Sequence, residues 1–187
     1  MFPDHTPESA PPAARPTMAA TAKKFGHIPP AVARMATSPE TLNGFLKLNA
    51  IFETTTLTAL EREVLVMTVA TRNGCHVCVA MHTASLSGLS ASPDLIAALR
   101  AQAPLPSARL EALRRFTLTV MDTTGDVPPS SLAEFVEAGF TPRNALEVVL
   151  GIGTYTVSTY ANRLIQAPLD EAFAGHAWDP ETVGAAR

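Results

Sequence analysis

Charge is scarce in this chain. Only 17% of its 187 residues are Asp, Glu, Lys or Arg, the net charge is −3, and no block of one sign stands out. A nucleic-acid surface needs clustered Lys and Arg, so that class of partner is excluded and small polar or apolar ligands are expected instead. Cysteine is far rarer: two residues are too few for a disulfide scaffold. No segment reaches the ~20 apolar residues of a membrane span. The opening MFPDHTPESAPPAARPTMAA lacks the basic region and apolar run of a secretory signal, so the expected location is cytoplasmic, without membrane contact. Also missing are stretches in which apolar and polar residues alternate, which removes the usual strand signal.

What is present is a hydrophobic content of 47%, enough for one domain with a real core. Residues 1–20 are rich in Pro and Ala and poor in large apolar side chains, so they read as a mobile or draped tail. Residues 21–175 read as a single helical domain and 176–187 as a C-terminal tail, loosely held except at Trp178.

The helices are marked by their ends. Ser38-Pro39-Glu40 opens one that runs to about Glu53. Thr58 and Glu61 form a capping box for the next, and Gly74 ends it. A third helix begins around Cys75 and stops before Gly88. Further helices are expected from Ser92-Pro93-Asp94 to about Gln102, over 107–123, near 129–138, and from Thr141-Pro142 to about Gln166. Gly151 and Gly153 fall inside the last, where each costs about 1 kcal/mol against alanine, so close packing of another backbone is expected there.

Both cysteines lie in NGCHVCVAMHT, residues 73–83. With Gly74 separating two helices, Cys75 caps the second and Cys78 sits in its first turn. The unpaired N–H groups and positive dipole end of a helix start lower a thiol pKa. Three residues along a helix bring the two sulfurs onto one face, within reach of a disulfide. His82 follows four residues after Cys78 on the same face. If the flanking helices form an antiparallel hairpin, Glu63 lies ~16 Å and His82 ~12 Å from the turn, nearly level. Glu61, two positions from Glu63, must face elsewhere. Taken by themselves these residues leave open a redox dithiol, a zinc clip using Cys75, Cys78 and His82 with Glu63 or His76, and a structural pair.

Glu63, Cys75 twelve residues later, the C-x-x-C and His82 four residues after its second cysteine form a recognisable pattern. With the helix from Ser38-Pro39-Glu40 before it and the long helix ALEVVL after it, the chain resembles the alkylhydroperoxidase D-like and carboxymuconolactone decarboxylase family, in its peroxidase-related branch. The resemblance covers roughly residues 25–175. It implies an all-α, AhpD-like helical fold with the C-x-x-C at a helix N-terminus, a homo-oligomer (trimer or hexamer), and thiol peroxidase chemistry without a cofactor or metal. In that chemistry Cys78 attacks the hydroperoxide and Cys75 resolves it to a disulfide. Glu63 and His82 relay the proton that activates Cys78, directly or through water. A dithiol reductant, lipoyl or thioredoxin-like, restores the pair. Peroxidase members place a second histidine immediately before the second cysteine. This chain has Val77 there and His76 one position earlier, about 100° away around the helix. Members of the decarboxylase type lack the cysteine pair.

The remaining polar candidates read more plainly. His27 and His176 are expected at the surface or in packing. Tyr155, Tyr160 and Asn162 on the apolar last helix need partners, and the core or an interface is the expected source. Besides the peroxidase reading, a redox switch or zinc clip without turnover and a cofactor-independent enzyme for a small lactone or acid stand as alternatives.

Overall fold

The structure is a computed structural model that describes residues 1–179, and every regular element among them is helical. These elements are α1 (Arg15–Phe25), α2 (Pro30–Met35), α3 (Pro39–Phe52), α4 (Ala59–Arg72), α5 (His76–Gly88), α6 (Pro93–Arg100), α7 (Ala108–Asp122), α8 (Pro129–Glu137) and α9 (Pro142–Leu164). Short 3-10 turns cover Pro12–Ala14 and Glu171–His176.

The caps legible in the sequence do set the starts. Ser38, Thr58, Ser92, Ser107 and Thr141 each accept a hydrogen bond from the backbone N–H three residues on, relieving donors that have no partner inside the helix. Glu61 completes its capping box by accepting from the Thr58 N–H at 2.8 Å. It also receives Arg109 at 2.8 Å, so this glutamate is used up in holding the start of α4.

α4 is the central helix. Every residue from Val64 to Thr71 is buried, as a helix that is apolar nearly all round must be. α5, α6, α7 and α9 pack around it, and α3 lies on α9. Gly74, at φ +66°, turns α4 back into α5, so the two form the expected antiparallel hairpin.

The structure sharpens the readings of both termini and corrects the one at α9. The N-terminal tail is not loose throughout: α1 starts at Arg15, and Ala10, Ala14 and Met18 are buried in the core. Small apolar side chains were enough here because a finished helical surface was waiting for them. At α9 the close neighbours of Gly151 are side chains rather than a backbone. A Cβ there would lie 2.7 Å from both Leu65 Cδ2 and Phe52 Cε2, whereas at Gly153 it would meet nothing within 4 Å. The stretch from His176 is held as far as Trp178. Arg100 donates to the His176 and Ala177 carbonyls, and Trp178 Nε1 donates to the Arg100 carbonyl. The rest of the expected C-terminal tail, 180–187, lies outside the described residues.

Candidate active site

α5 begins with Cys75 as its N-cap residue, and the Cys75 sulfur accepts the Cys78 N–H at 3.4 Å. The two sulfurs are 2.7 Å apart and both thiols are free. Cys78 Sγ also accepts from Asn162 Nδ2 at 3.4 Å and lies 3.9 Å from Ser158 Oγ, both on α9. Hydrogen bonding from Cys78 and from the first turn of α5 pulls the Cys75 thiol below its ordinary value, against its burial. The Cys75 sulfur and burial push Cys78 well up. Both directions favour the thiolate on Cys75 over one on Cys78.

Glu63 and His82 meet as the hairpin requires. His82 Nδ1 lies 2.8 Å from Glu63 Oε2, and both side chains are largely buried. With Nδ1 committed to the carboxylate, Nε2 is the exchangeable ring position. It is buried and has no hydrogen-bond partner within the protein. Tyr155 packs edge-on against the imidazole with ring centroids 5.2 Å apart, and its hydroxyl donates to Asn49 Oδ1 at 2.8 Å. Burial and the Glu63 charge keep that phenol protonated by raising its pKa.

The four predicted residues thus come together as two pairs. No hydrogen bond joins His82 to Cys78, so of the two expected routes, direct or through water, the direct one is not formed here. The reason lies in helical geometry: four residues make slightly more than one turn, so Cys78 faces α9 while His82 faces α4. The nearest partner of the Cys78 thiol is the Cys75 sulfur, at 2.7 Å.

A cavity of about 420 Å³ reaches the Glu63–His82 pair and the α9 residues that contact Cys78. Phe25, Met35, Leu42, Phe45, Leu46 and Met81 give it an apolar body, and Glu63, His82, Tyr155, Ser158 and Asn162 form its polar end. Neither cysteine lines it; Cys78 touches it through Ser158 and Asn162. Val77 lines the wall and His76 does not, so the apolar residue stands where the resemblance calls for a histidine. At the rim His27 Nε2 bonds Asp170 Oδ2 at 2.6 Å, tying the turn after α1 to the segment after α9. Tyr160 is 60% exposed and takes no part.

Among the described residues no three His, Cys, Asp or Glu side chains converge as a metal ligand set. Cys75, Cys78 and His82 do not form the arrangement a zinc clip needs. Ser158 was missed in the sequence. The signal was its position three residues after Tyr155 and four before Asn162, which puts all three on one face of α9. Among the described residues no helix is long and apolar enough to cross a membrane.

Residues 39–119 match the model of the carboxymuconolactone decarboxylase family. Over that segment the chain is similar to the family. Two solved structures share the fold. One is an alkylhydroperoxidase AhpD core, an uncharacterized peroxidase-related protein from Ralstonia eutropha JMP134, with a TM-score of 0.80 at 22% identity, over 92% of this chain and 93% of that one. The other is an uncharacterized peroxidase-related protein from Silicibacter sp. TM1040, with a TM-score of 0.76 at 21% identity, over 93% and 92%. A comparison with curated proteins yields no match. The carboxymuconolactone decarboxylase family model spans α3 to α7, which includes the hairpin that carries Glu63, Cys75, Cys78 and His82.

Proposed function

We propose that this protein is a thiol peroxidase that reduces organic hydroperoxides through a Cys75–Cys78 dithiol–disulfide cycle. The observation that carries the reading is a Glu63–His82 pair at the polar end of one largely apolar cavity, with two touching cysteines directly behind Ser158 and Asn162 of its lining. Cys78, the cysteine in contact with that end, attacks the distal peroxide oxygen while its proton passes to Cys75. The O–O bond breaks, the sulfur becomes sulfenic acid, and the departing alkoxide takes a proton from the imidazolium form of His82. Cys75 then attacks the Cys78 sulfenic acid, releasing water and leaving a disulfide. An external dithiol, lipoyl or thioredoxin-like, reduces it. No cofactor enters this cycle, and a cytoplasmic location, where such dithiols are kept reduced, suits it.

The decisive measurement is consumption of cumene hydroperoxide with dihydrolipoamide as reductant. Turnover should vanish in Cys78→Ser, and Cys75→Ser should give one turnover that ends in a trappable sulfenic acid on Cys78. No consumption of any hydroperoxide by the intact dithiol would overturn the reading.

The protein is also proposed to be a homo-oligomer. Leu146, Val149, Val157, Tyr160 and Leu164 are exposed along one face of α9 and form a stripe ~27 Å long, with Gly153 open at its middle. The stripe reads nearly the same from either end. A second copy laid antiparallel places Val157 of one chain against Gly153 of the other and covers both faces at once. Such a two-fold pair is a dimer, or the dimer unit of a hexamer.

A further inference from the structure

Only two buried side-chain polar atoms among the described residues have no hydrogen-bond partner in the protein: His82 Nε2 and Asn162 Oδ1. Both residues line the same cavity. A buried polar atom left unpaired costs about 1–3 kcal/mol, so two on residues that line one cavity point to a ligand that satisfies them. The neighbouring polar groups are already engaged: Glu63 with His82, the Tyr155 hydroxyl with Asn49, and Asn162 Nδ2 with the Cys78 sulfur.

We propose that Asn162 is a catalytic residue, one that binds the reacting sulfur and the substrate oxygen with the two ends of a single amide. Its Nδ2 donates to Cys78 Sγ, and its Oδ1 accepts the O–H of the hydroperoxide, setting the distal oxygen against the sulfur. This rests on the peroxidase reading given above. Sulfur supplies the electron pair for the new S–O bond, and the O–O pair leaves with the alkoxide oxygen. The hydrogen accepted by Oδ1 stays on the oxygen that is transferred and becomes the sulfenic acid hydrogen. His82 Nε2 lies at the same polar end, where it protonates the alkoxide. As S–O bond formation spreads charge over sulfur and oxygen, the Nδ2 donor is worth more in the transition state than in the resting thiol.

A donor or acceptor aimed at the reacting atoms is worth about a hundredfold in rate. Asn162→Ala should therefore lower kcat/KM for cumene hydroperoxide about a hundredfold, while alkylation of the reduced dithiol by iodoacetamide, which loses only the Nδ2 donor and needs no peroxide-orienting acceptor, should slow by less than about tenfold. Asn162→Asp keeps the shape and the acceptor but replaces the donor with a carboxylate beside Cys78. Its rate should fall and its pH profile should move to higher pH, a shift that a packing defect does not produce. If Asn162→Ala fails to fold, Asn162→Asp decides. Active wild type with either variant within threefold of it, at an unchanged pH profile, overturns the role of Asn162 alone. Wild type that forms no Cys78 sulfenic acid with hydroperoxide overturns the peroxidase reading, and this role with it.

Discussion

His82 Nδ1 and Glu63 Oε2, 2.8 Å apart, join α5 to α4 one turn beyond the cysteines and turn the free edge of the imidazole toward the cavity. The carboxylate fixes the ring's tautomer and orientation. Glu63→Gln keeps the hydrogen-bonding shape and loses the charge. Hydroperoxide turnover should drop about a hundredfold with little change in Tm, as measured by stopped-flow rates beside calorimetry. Turnover within threefold of wild type would remove the pair from the proton path.

The cysteines should titrate unequally. The first thiolate belongs to Cys75, whose pKa lies below its usual 9.0 because Cys78 and the first turn of α5 donate to it. Alkylation followed by peptide mass spectrometry should label Cys75 first. In Cys78→Ala, which removes the S–H donor, the Cys75 titration should move up in pH. Equal labelling of both cysteines would contradict the order.

The rim contact should loosen as pH rises. Asp170, mostly buried, raises the pKa of His27 above 6.5 through the hydrogen bond between them. A raised histidine contributes its stability fully below the unfolded value and loses it as pH climbs through the folded one. Amide exchange over Pro30–Met35 should therefore speed up from just above pH 6.5 upward by more than the intrinsic rate, and His27→Gln should abolish that excess. An excess that persists in His27→Gln would assign it to another group.

Gly151→Ala sets two effects against each other. Alanine gains about 1 kcal/mol of helix propensity. Its methyl, however, would sit 2.7 Å from Leu65 and Phe52, both fully buried and unable to withdraw into solvent. Overpacking costs about 1–3 kcal/mol, so the net effect should be destabilising, with Tm lower by a few degrees. Gly153→Ala, with nothing nearby, should raise Tm in the monomer.

The α9 stripe gives a test of assembly. Val157→Asp leaves the monomer core untouched, since the side chain is 37% exposed. It should shift the mass measured by light scattering toward the monomer. An unchanged oligomer would mean that another surface holds the copies together.

Local chemistry made much of this legible in advance. Ser38, Thr58, Ser92 and Thr141 announce helix starts because a capping oxygen and the N–H three residues on are close in sequence, and Gly74 announces the turn because few other residues accept positive φ. The Glu63–His82 pair followed from counting residues away from that turn. α1 carried no such signal. Its Ala-rich face is buried only because other helices build a surface to receive it.

By itself, then, the sequence determined the helices, the hairpin, and the placement of Cys75, Cys78 and His82 on one short stretch, since caps, spacing and helical pitch are local properties. Only the tertiary structure decided that Cys78 faces Ser158 and Asn162 while His82 faces Glu63. It alone left Nε2 of His82 and Oδ1 of Asn162 as unpaired atoms of one cavity. Those relationships join residues about 20 to 84 positions apart, and they depend on how α4, α5 and α9 pack rather than on any pattern within one of them.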